Sequence, residues 1–290
     1  MRRSRNCSKA HGRQQILHCV HCFLPLAPEA GNQSGRYSEA VGESLYESGR
    51  GNIGRVTSIQ TTSITQPWSP SLKARLYGLA RPVDELLLRA AYTARFYHWS
   101  RANAAAPTLP TRFDLYQHVI DHHGLGGTID YLEFGVYHGE SLRWWAAHNA
   151  APDSRFYGFD VFTGLPDAWV GLPPGTFSTG GQVPSFDDPR VALEIGLFQD
   201  TLGDFVARQP LDRRTVIHLD ADLYSSTLYV LTTLAPKLRP GDVILFDELG
   251  SAYGVTHEFR ALEDFAGSYR FHYRLLAGTR RYLQAAIAVV

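Results

Sequence analysis

The sequence predicts an α/β fold in which a mostly parallel β-sheet is covered by helices. From Ile129 onward, short apolar runs alternate with stretches of helical periodicity, which is typical of βαβ units. The chain then ends in two apolar runs, Phe271–Leu276 and Tyr282–Val290, joined by a short polar turn. That arrangement predicts a hairpin, so an antiparallel edge should close the sheet.

Residues 1–70 are predicted to form a disordered leader. Residues 31–70 are rich in Ser, Gly, Thr, Asn and Gln and show no lasting apolar periodicity. All three cysteines, Cys7, Cys19 and Cys22, lie in this leader, which excludes a disulfide framework for the rest of the chain. Cys19 and Cys22 have the spacing of half a zinc site, but no second pair of thiols follows them.

The start of the leader also imitates a secretory signal, because basic residues precede the apolar run Ile16–Ala27. His18, His21 and Pro25 interrupt that run, and we therefore expect a cytoplasmic protein. A membrane-spanning helix needs about 18 or more consecutive apolar residues, and the sequence contains no such stretch.

Charge is unevenly divided, although 28 basic and 28 acidic side chains sum to zero. Residues 1–70 carry eight basic and four acidic side chains, residues 71–128 carry seven and four, and residues 129–290 carry 13 and 20. An acidic body argues against a nucleic-acid partner. We expect a small-molecule partner and no membrane partner, and leave self-association into a homo-oligomer open.

Residues 71–127 are predicted to form a helical cap. Apolar residues recur at helical spacing from Leu76 to Ala94, and Pro82 within that run should break or kink the helix. A second helix is predicted over Arg112–His123, ended by the glycines that follow it.

The βαβ region divides into regular elements and one long irregular stretch. Strands are predicted at Tyr131–Gly135, Phe156–Phe162, Val191–Leu197, Thr215–Leu219 and Val243–Phe246. Helices are predicted at Ser141–Asn149, Thr201–Arg208, Ser226–Leu238 and His257–Phe265. Residues 163–189 are rich in Pro and Gly and too long for an ordinary connection, which suggests a lid over a site.

Each strand is followed by an acid or a glycine, where parallel sheets bind ligands. The first turn, Glu133–Gly139, lacks the G-x-G-x-x-G pattern of a dinucleotide-binding site, and its acids would repel a diphosphate. It suits a ligand with a cationic group, or is a tight turn with an incidental Glu. Asp160 is positioned to bind ribose hydroxyls or to anchor a loop, and Asp200 to bond an adenine amino group or cap a helix.

Two further strands end in acidic pairs, Asp220 with Asp222 and Asp247 with Glu248. Alternation along an extended chain would put Asp220 and Asp222 on one side, which is costly without a cation or a shared proton. Four carboxylates on adjacent strand ends form the oxygen-rich set that Mg²⁺, Ca²⁺ or Mn²⁺ prefers, or else a solvated acidic rim.

At these positions the sequence resembles the macrocin O-methyltransferase family of class I S-adenosylmethionine-dependent methyltransferases. The resemblance spans about residues 128–267 and is carried by an ordered series of motifs. The motifs are EFGV with Gly139, FDVFTGLP at 159–166, FQDTL at 198–202, LDADLYSST at 219–227, PKLRPG at 236–241 and the Asp247–Glu248 pair. It implies a Rossmann-like, seven-stranded sheet with an antiparallel last strand, and a methyltransferase domain over residues 128–290.

The resemblance also implies roles for individual residues. The cofactor S-adenosylmethionine would be held by Glu133, Gly135, Tyr137 and Gly139 at its methionine end, by Asp160 at the ribose and by Asp200 at the adenine, with Asp220 beside it. Asp220, Asp247 and Glu248 would bind Mg²⁺ or another divalent cation, and Asp222 would be the general base. Glu248 stands where the sugar-modifying relatives have Asp. In the glycine turn, His138 and Glu140 replace residues that are smaller or basic in those relatives.

These observations predict a metal-assisted methyltransferase that modifies an oxygen of a small, polyhydroxylated, sugar-like or secondary-metabolite acceptor. Three alternatives stay open at this point. The fold could be non-catalytic, it could methylate nitrogen or a macromolecule, or the chain could be a nicotinamide oxidoreductase that lacks the usual glycine pattern. His257 and Glu258 either line the acceptor pocket or simply begin a helix.

Overall fold

The structure, a computed structural model, describes residues 70–290, with side chains from residue 83 on. The leader predicted for residues 1–70, with Cys7, Cys19, Cys22 and the signal-like segment, lies outside the described residues apart from its last position. Among residues 70–290, none of the helices combines the length and apolarity needed to cross a bilayer.

The centre of the fold is one eight-stranded sheet. Its strands are β1 Thr108–Leu109, β2 Ile129–Phe134, β3 Arg155–Asp160, β4 Val191–Ile195, β5 Arg214–Leu219, β6 Val243–Phe246, β7 Tyr273–Thr279 and β8 Ala285–Val289. They lie in the order β1-β7-β8-β6-β5-β2-β3-β4. Only β8 runs antiparallel to its neighbours, β6 and β7, which confirms the predicted mostly parallel sheet with a reversed last strand. The two-residue β1, which no apolar run announced, adds an eighth strand at the edge.

Helices cover both faces of the sheet, because its central strands are buried on both sides. The helices are α1 Pro70–Ala102, α2 Arg112–His122, α3 Glu140–His148, α4 Phe198–Arg208, α5 Tyr224–Leu234 and α6 Glu258–Tyr269. On one face, Tyr116 of α2 and Trp145 of α3 pack with Tyr131. On the other, α4, α5, α6 and the end of α1 form a second core that includes Phe205 and Phe259.

The expectation that Pro82 breaks the first helix is wrong, because α1 runs through it without interruption. Proline in a helix interior costs about 3 kcal/mol, so tertiary packing must offset it. That packing comes from the later turns of α1, where Tyr92 is buried and Phe96 and Trp99 contact Phe259 of α6.

The start of α2 is fixed locally by its sequence. The Thr111 hydroxyl accepts a hydrogen bond from the Asp114 backbone N–H at 3.2 Å, and the Asp114 carboxylate accepts one from the Thr111 N–H at 3.0 Å. This reciprocal pair is a capping box, which satisfies two N–H groups at the helix start. It also fixes the first helical residue, Arg112, close to the carboxyl ends of the strands.

Between β3 and β4 the chain has no helix or ladder strand, as the sequence predicted for residues 163–189. Only Trp169 and Leu172 form an isolated bridge there. We call residues 163–189 the lid loop. It lies over the carboxyl ends of the strands and contributes Gly164, Leu165, Pro166, Trp169 and Phe177 to a pocket wall.

Candidate active site

A pocket of about 320 Å³ opens at the carboxyl ends of the central strands, where ligands bind in open parallel sheets. Its size suits a small organic molecule. The predicted site residues in its wall are Gly135, Tyr137, Asp160, Asp220, Asp222, Asp247 and Glu248. The sheet therefore brings together at one pocket the ends of β2, β3, β5 and β6, which are far apart in the chain.

Glycine is required at position 135, directly after β2, because the ends of two strands approach each other closely there. Its φ is +95°, and a Cβ at this position would lie 1.9 Å from the carbonyl oxygen of Asp220. No side chain fits there, so the backbone at the end of β2 lies directly against the backbone at the end of β5. The glycine turn and the acidic residues after β5 are consequently fixed relative to each other.

Asp160, at the end of β3, anchors two loops with one carboxylate. Its Oδ2 accepts hydrogen bonds from the backbone N–H groups of Val136 and Tyr137, both at 2.8 Å, and its Oδ1 accepts one from Phe162 at 2.7 Å. The loop-anchor interpretation is thus present in the structure. Oδ2 thus uses both of its lone pairs, while Oδ1 keeps a second lone pair for a ligand in the pocket.

The acids after β5 and β6 form a cluster whose members disfavour each other's charge. Burial, followed by the charge of Asp247, raises the pKa of Asp220 well above its ordinary value. Burial is also the main cause that raises the pKa of Glu248, and the nearby Asp247 adds to it. Several anions in one poorly solvated place hold protons more tightly than isolated carboxyl groups do.

Asp222 belongs to this cluster but reaches it by an unexpected backbone path. The extended alternation predicted for residues 220–222 is wrong, because β5 ends at Leu219 and Asp222 has a φ of +58°. Asp222 and Asp220 nevertheless both line the pocket. Burial, with help from Glu248 and Asp247, raises the pKa of Asp222 to about 7.

Among residues 70–290, two buried oxygens in or next to the cluster have no hydrogen-bond partner, Oδ1 of Asp247 and Oε1 of Glu258. This orphaned Asp247 oxygen and the repulsion among its neighbours suit a divalent cation, which prefers carboxylate ligands. As they stand, however, no three His, Cys, Asp or Glu side chains within residues 70–290 are grouped closely enough to hold a metal ion. The donor chemistry fits a metal, while the ligand arrangement is incomplete.

Glu133 lies within the protein and is not part of the pocket wall. Its Oε2 accepts a hydrogen bond from the hydroxyl of Tyr131 at 2.6 Å, and that hydroxyl lies 2.8 Å from Nδ1 of His218. The Tyr116 hydroxyl lies 3.2 Å from Nε2 of the same histidine, and all four side chains are buried. Glu133 therefore belongs to a buried polar network with Tyr131, His218 and Tyr116.

Three other sequence-derived candidates also lie outside the wall. Asp200 is exposed on α4, and the neighbouring Gln199 lines the pocket in its place. Gly139 adopts a left-handed conformation as the N-cap of α3. His257 accepts a hydrogen bond from the backbone N–H of Tyr224 at 3.2 Å.

Glu258, the other residue predicted either to line the acceptor pocket or to start a helix, is fully buried behind the acidic pair. Its Oε2 accepts a hydrogen bond from the backbone N–H of Glu248 at 2.9 Å. The helix-start interpretation of His257 and Glu258 is therefore the one that the structure supports.

The lid loop closes one side of the pocket with aromatic side chains. Trp169 is only 8% exposed. The centroid of its ring lies 6.1 Å from the ring centroid of Phe177, 6.2 Å from that of Tyr253 and 6.3 Å from that of His257. Its indole N–H is buried and has no partner among the described residues. The loop is thus packed against the segment that follows β6, and its aromatic side chains form an apolar wall opposite the acids.

Sequence reasoning missed Arg112, the only Lys or Arg among the described residues of the wall. Its guanidinium forms an ion pair with Glu140, and its Nη1 lies 4.0 Å from Asp247 Oδ1. Burial works to lower the pKa of Arg112, but Asp247, Glu140 and other nearby groups raise it overall. The only available sequence signal was its position at the start of a predicted helix.

Comparison with known proteins adds a family match. Residues 132–249 match a family model described as "Methyltransferase domain". The chain is 37% identical over 82 residues to "8-demethyl-8-(2,3-dimethoxy-alpha-L-rhamnosyl)-tetracenomycin-C 4'-O-methyltransferase" of Streptomyces olivaceus, an alignment that covers 28% of each protein. It is 34% identical over 82 residues to demethyldecarbamoylnovobiocin O-methyltransferase of Streptomyces niveus, covering 27% of this chain and 30% of the relative.

Among solved structures, a calicheamicin methyltransferase is similar with a TM-score of 0.47 and 23% identity, over 82% of this chain and 99% of that one. The matches to the two curated relatives span less than a third of their lengths. Both of those alignments are therefore much shorter than the proteins that they join.

Proposed function

We propose that this chain, whose residues 132–249 match a methyltransferase domain, is a class I S-adenosylmethionine-dependent O-methyltransferase. It transfers the methyl group of S-adenosylmethionine to a hydroxyl oxygen of a small, polyhydroxylated acceptor. The observation that carries this proposal is the pocket at the strand ends, whose wall contains Asp222 together with Gly135 and Tyr137 of the glycine turn. The sugar and secondary-metabolite substrates in the relatives' names support the choice of acceptor.

The cofactor would lie across the strand ends with its methionine end at Gly135 and Tyr137. Asp160 would accept a hydrogen bond from a ribose hydroxyl at Oδ1, whose second lone pair its loop contacts leave unused. Gln199 and Phe198 line the pocket beyond β4 and would contact the adenine. This assignment favours Gln199 over Asp200, because Asp200 is exposed outside the wall.

Methyl transfer is an in-line displacement, so the acceptor hydroxyl must be aligned with the sulfonium and must lose its proton. Asp222 would accept that proton as a general base. A base acts best when its pKa lies near the working pH, since it is then ionised and still basic. An ordinary exposed aspartate would be a much weaker base than one whose pKa is about 7.

Asp220, Asp247 and Glu248 are the residues that would hold a divalent cation. A cation bound there would supply Lewis-acid chemistry that lowers the pKa of the attacking hydroxyl. Its positive charge would also relieve the repulsion among the clustered acids. The aromatic side chains of the lid loop would exclude water from the same region.

Calorimetric titration with S-adenosylmethionine tests the first part of the proposal. We expect one saturable site per chain with a Kd at or below tens of micromolar. Incubation with a panel of glycosylated natural products, followed by mass spectrometry, should then detect the addition of one CH₂ to an acceptor. Absence of saturable cofactor binding would refute the assignment, and tight nicotinamide binding would point to an oxidoreductase.

Chelation tests the metal separately. We expect a chelator to abolish turnover and to leave the Kd for S-adenosylmethionine unchanged, with activity restored by excess Mg²⁺. Full activity in chelator would remove Asp247 and Glu248 from the proposed ligands. Methylation of a nitrogen atom in the product would instead favour the alternative acceptor class.

A further inference from the structure

The charge pattern of the pocket wall points to a task for Arg112 that the methyltransferase-domain match does not cover. The wall contains five acids, Asp160, Asp220, Asp222, Asp247 and Glu248, and Arg112 is its one Lys or Arg within the described residues. Arg112 lies in α2, outside the matched residues 132–249. A lone cation in an acidic pocket marks the place where an anionic ligand group can bind.

The guanidinium has unused hydrogen-bonding capacity toward the pocket. Among the described residues its one hydrogen bond goes from Nη2 to Glu140, although a guanidinium has five N–H donors in a fixed fork. Its Nη1 lies 4.0 Å from Asp247 Oδ1, which is too long for a hydrogen bond. Such a fork matches the two oxygens of a carboxylate.

The ion pair with Glu140 positions the guanidinium of Arg112. Glu140 is the first residue of α3 and follows Gly139 at the end of the glycine turn. Its ion pair with Arg112 ties the guanidinium to the turn that would hold the methionine end of the cofactor. The Arg112 guanidinium also lies over the Phe113 ring, 5.0 Å from its centroid, which restricts its movement.

An α-amino acid group carries a carboxylate and an ammonium on one carbon atom. The ion pair with Glu140 holds Arg112 beside the glycine turn, so its fork meets the carboxylate of such a group when the methionine end of the cofactor lies at Gly135 and Tyr137. Resting on the proposed function, we propose that Arg112 binds the methionine carboxylate of S-adenosylmethionine and that Glu140 is its positioning residue.

The test compares two ligands that differ only in that carboxylate, S-adenosylmethionine and decarboxylated S-adenosylmethionine, by calorimetry on the full chain. We expect Arg112→Gln to weaken binding of S-adenosylmethionine at least about tenfold and to leave the decarboxylated compound nearly unchanged. Arg112→Lys should restore part of the preference, and Glu140→Gln should reduce it by a smaller factor. Arg208→Gln, which breaks the exposed Arg208–Glu194 pair of α4 and β4, is the matched control.

Equal weakening of both ligands by Arg112→Gln would show that Arg112 only maintains the structure, and would overturn the proposal. No weakening of either ligand would overturn it as well, and would direct Arg112 toward the acceptor. Failure of the unmodified protein to bind S-adenosylmethionine would refute the proposed function itself. Arg112→Lys provides the comparison if Arg112→Gln does not fold.

Discussion

Replacing Asp222 with Asn should remove the pH dependence that this carboxylate gives to stability. Its pKa is raised from 3.8 to about 7 in the folded protein, mainly by burial and then by Glu248 and Asp247. Between these two pH values the folded state therefore holds a proton that the unfolded chain has released. The free energy of unfolding must fall as pH rises through this window and level off above it.

The size of the effect follows from the same two pKa values. A tenfold change in proton affinity corresponds to about 1.4 kcal/mol, so the full difference is at most about 4 kcal/mol. The side chain is partly accessible, and screening reduces this to about 2 kcal/mol. Asp222→Asn should thus match the unmodified protein in stability near pH 4 and exceed it by about 2 kcal/mol at pH 8.

Urea unfolding at several pH values between 4 and 8, in the presence of chelator, measures this difference directly. Asp153→Asn is the control, because Asp153 is exposed in the loop between α3 and β3. The reasoning would be refuted if Asp222→Asn kept the pH slope of the unmodified protein, or if it were the less stable of the two at pH 8.

Three further predictions concern activity and binding. The rate of methyl transfer should rise with pH and level off above about 7. Asp222→Asn should lower kcat at least about a hundredfold while the Kd for S-adenosylmethionine stays unchanged. Stopped assays measure kcat and calorimetry measures the Kd, and a near-normal rate in Asp222→Asn would assign the base elsewhere. Gly135→Ala should abolish cofactor binding and lower the Tm by at least about 5 °C, because its Cβ would overlap the Asp220 carbonyl; unchanged binding would contradict the close approach. Trp169→Ala should raise the KM for the acceptor more than the Kd for the cofactor, since it opens the lid loop, and equal effects on both would argue against a lid.

Most of the sheet could be predicted from the sequence, because each strand is a short apolar run bounded by polar or glycine residues. The Val243–Phe246 strand was predicted to the residue, the other predicted strands differ by a few positions at their ends, and the two-residue β1 was not predicted. The continuity of α1 through Pro82 could not be predicted, since the packing that offsets the proline comes from residues far away in the chain.

The pocket was predicted in part, and the differences have a common cause. Acids at strand ends could be recognised, but which way each side chain lies depends on backbone conformations that the sequence does not announce. Asp222 and Tyr137 adopt positive φ values without being glycine. Glu133 is drawn into the interior by Tyr131 and His218, and Arg112 reaches the site only because α2 packs against the sheet.

The three backbone contacts of Asp160 join the glycine turn to the segment where the lid loop begins. Val136 and Tyr137 belong to the turn, and Phe162 directly precedes the lid loop. A displacement of this carboxylate therefore shifts the glycine turn and the start of the lid loop together. A molecule that contacts Asp160 would therefore act on both segments at once.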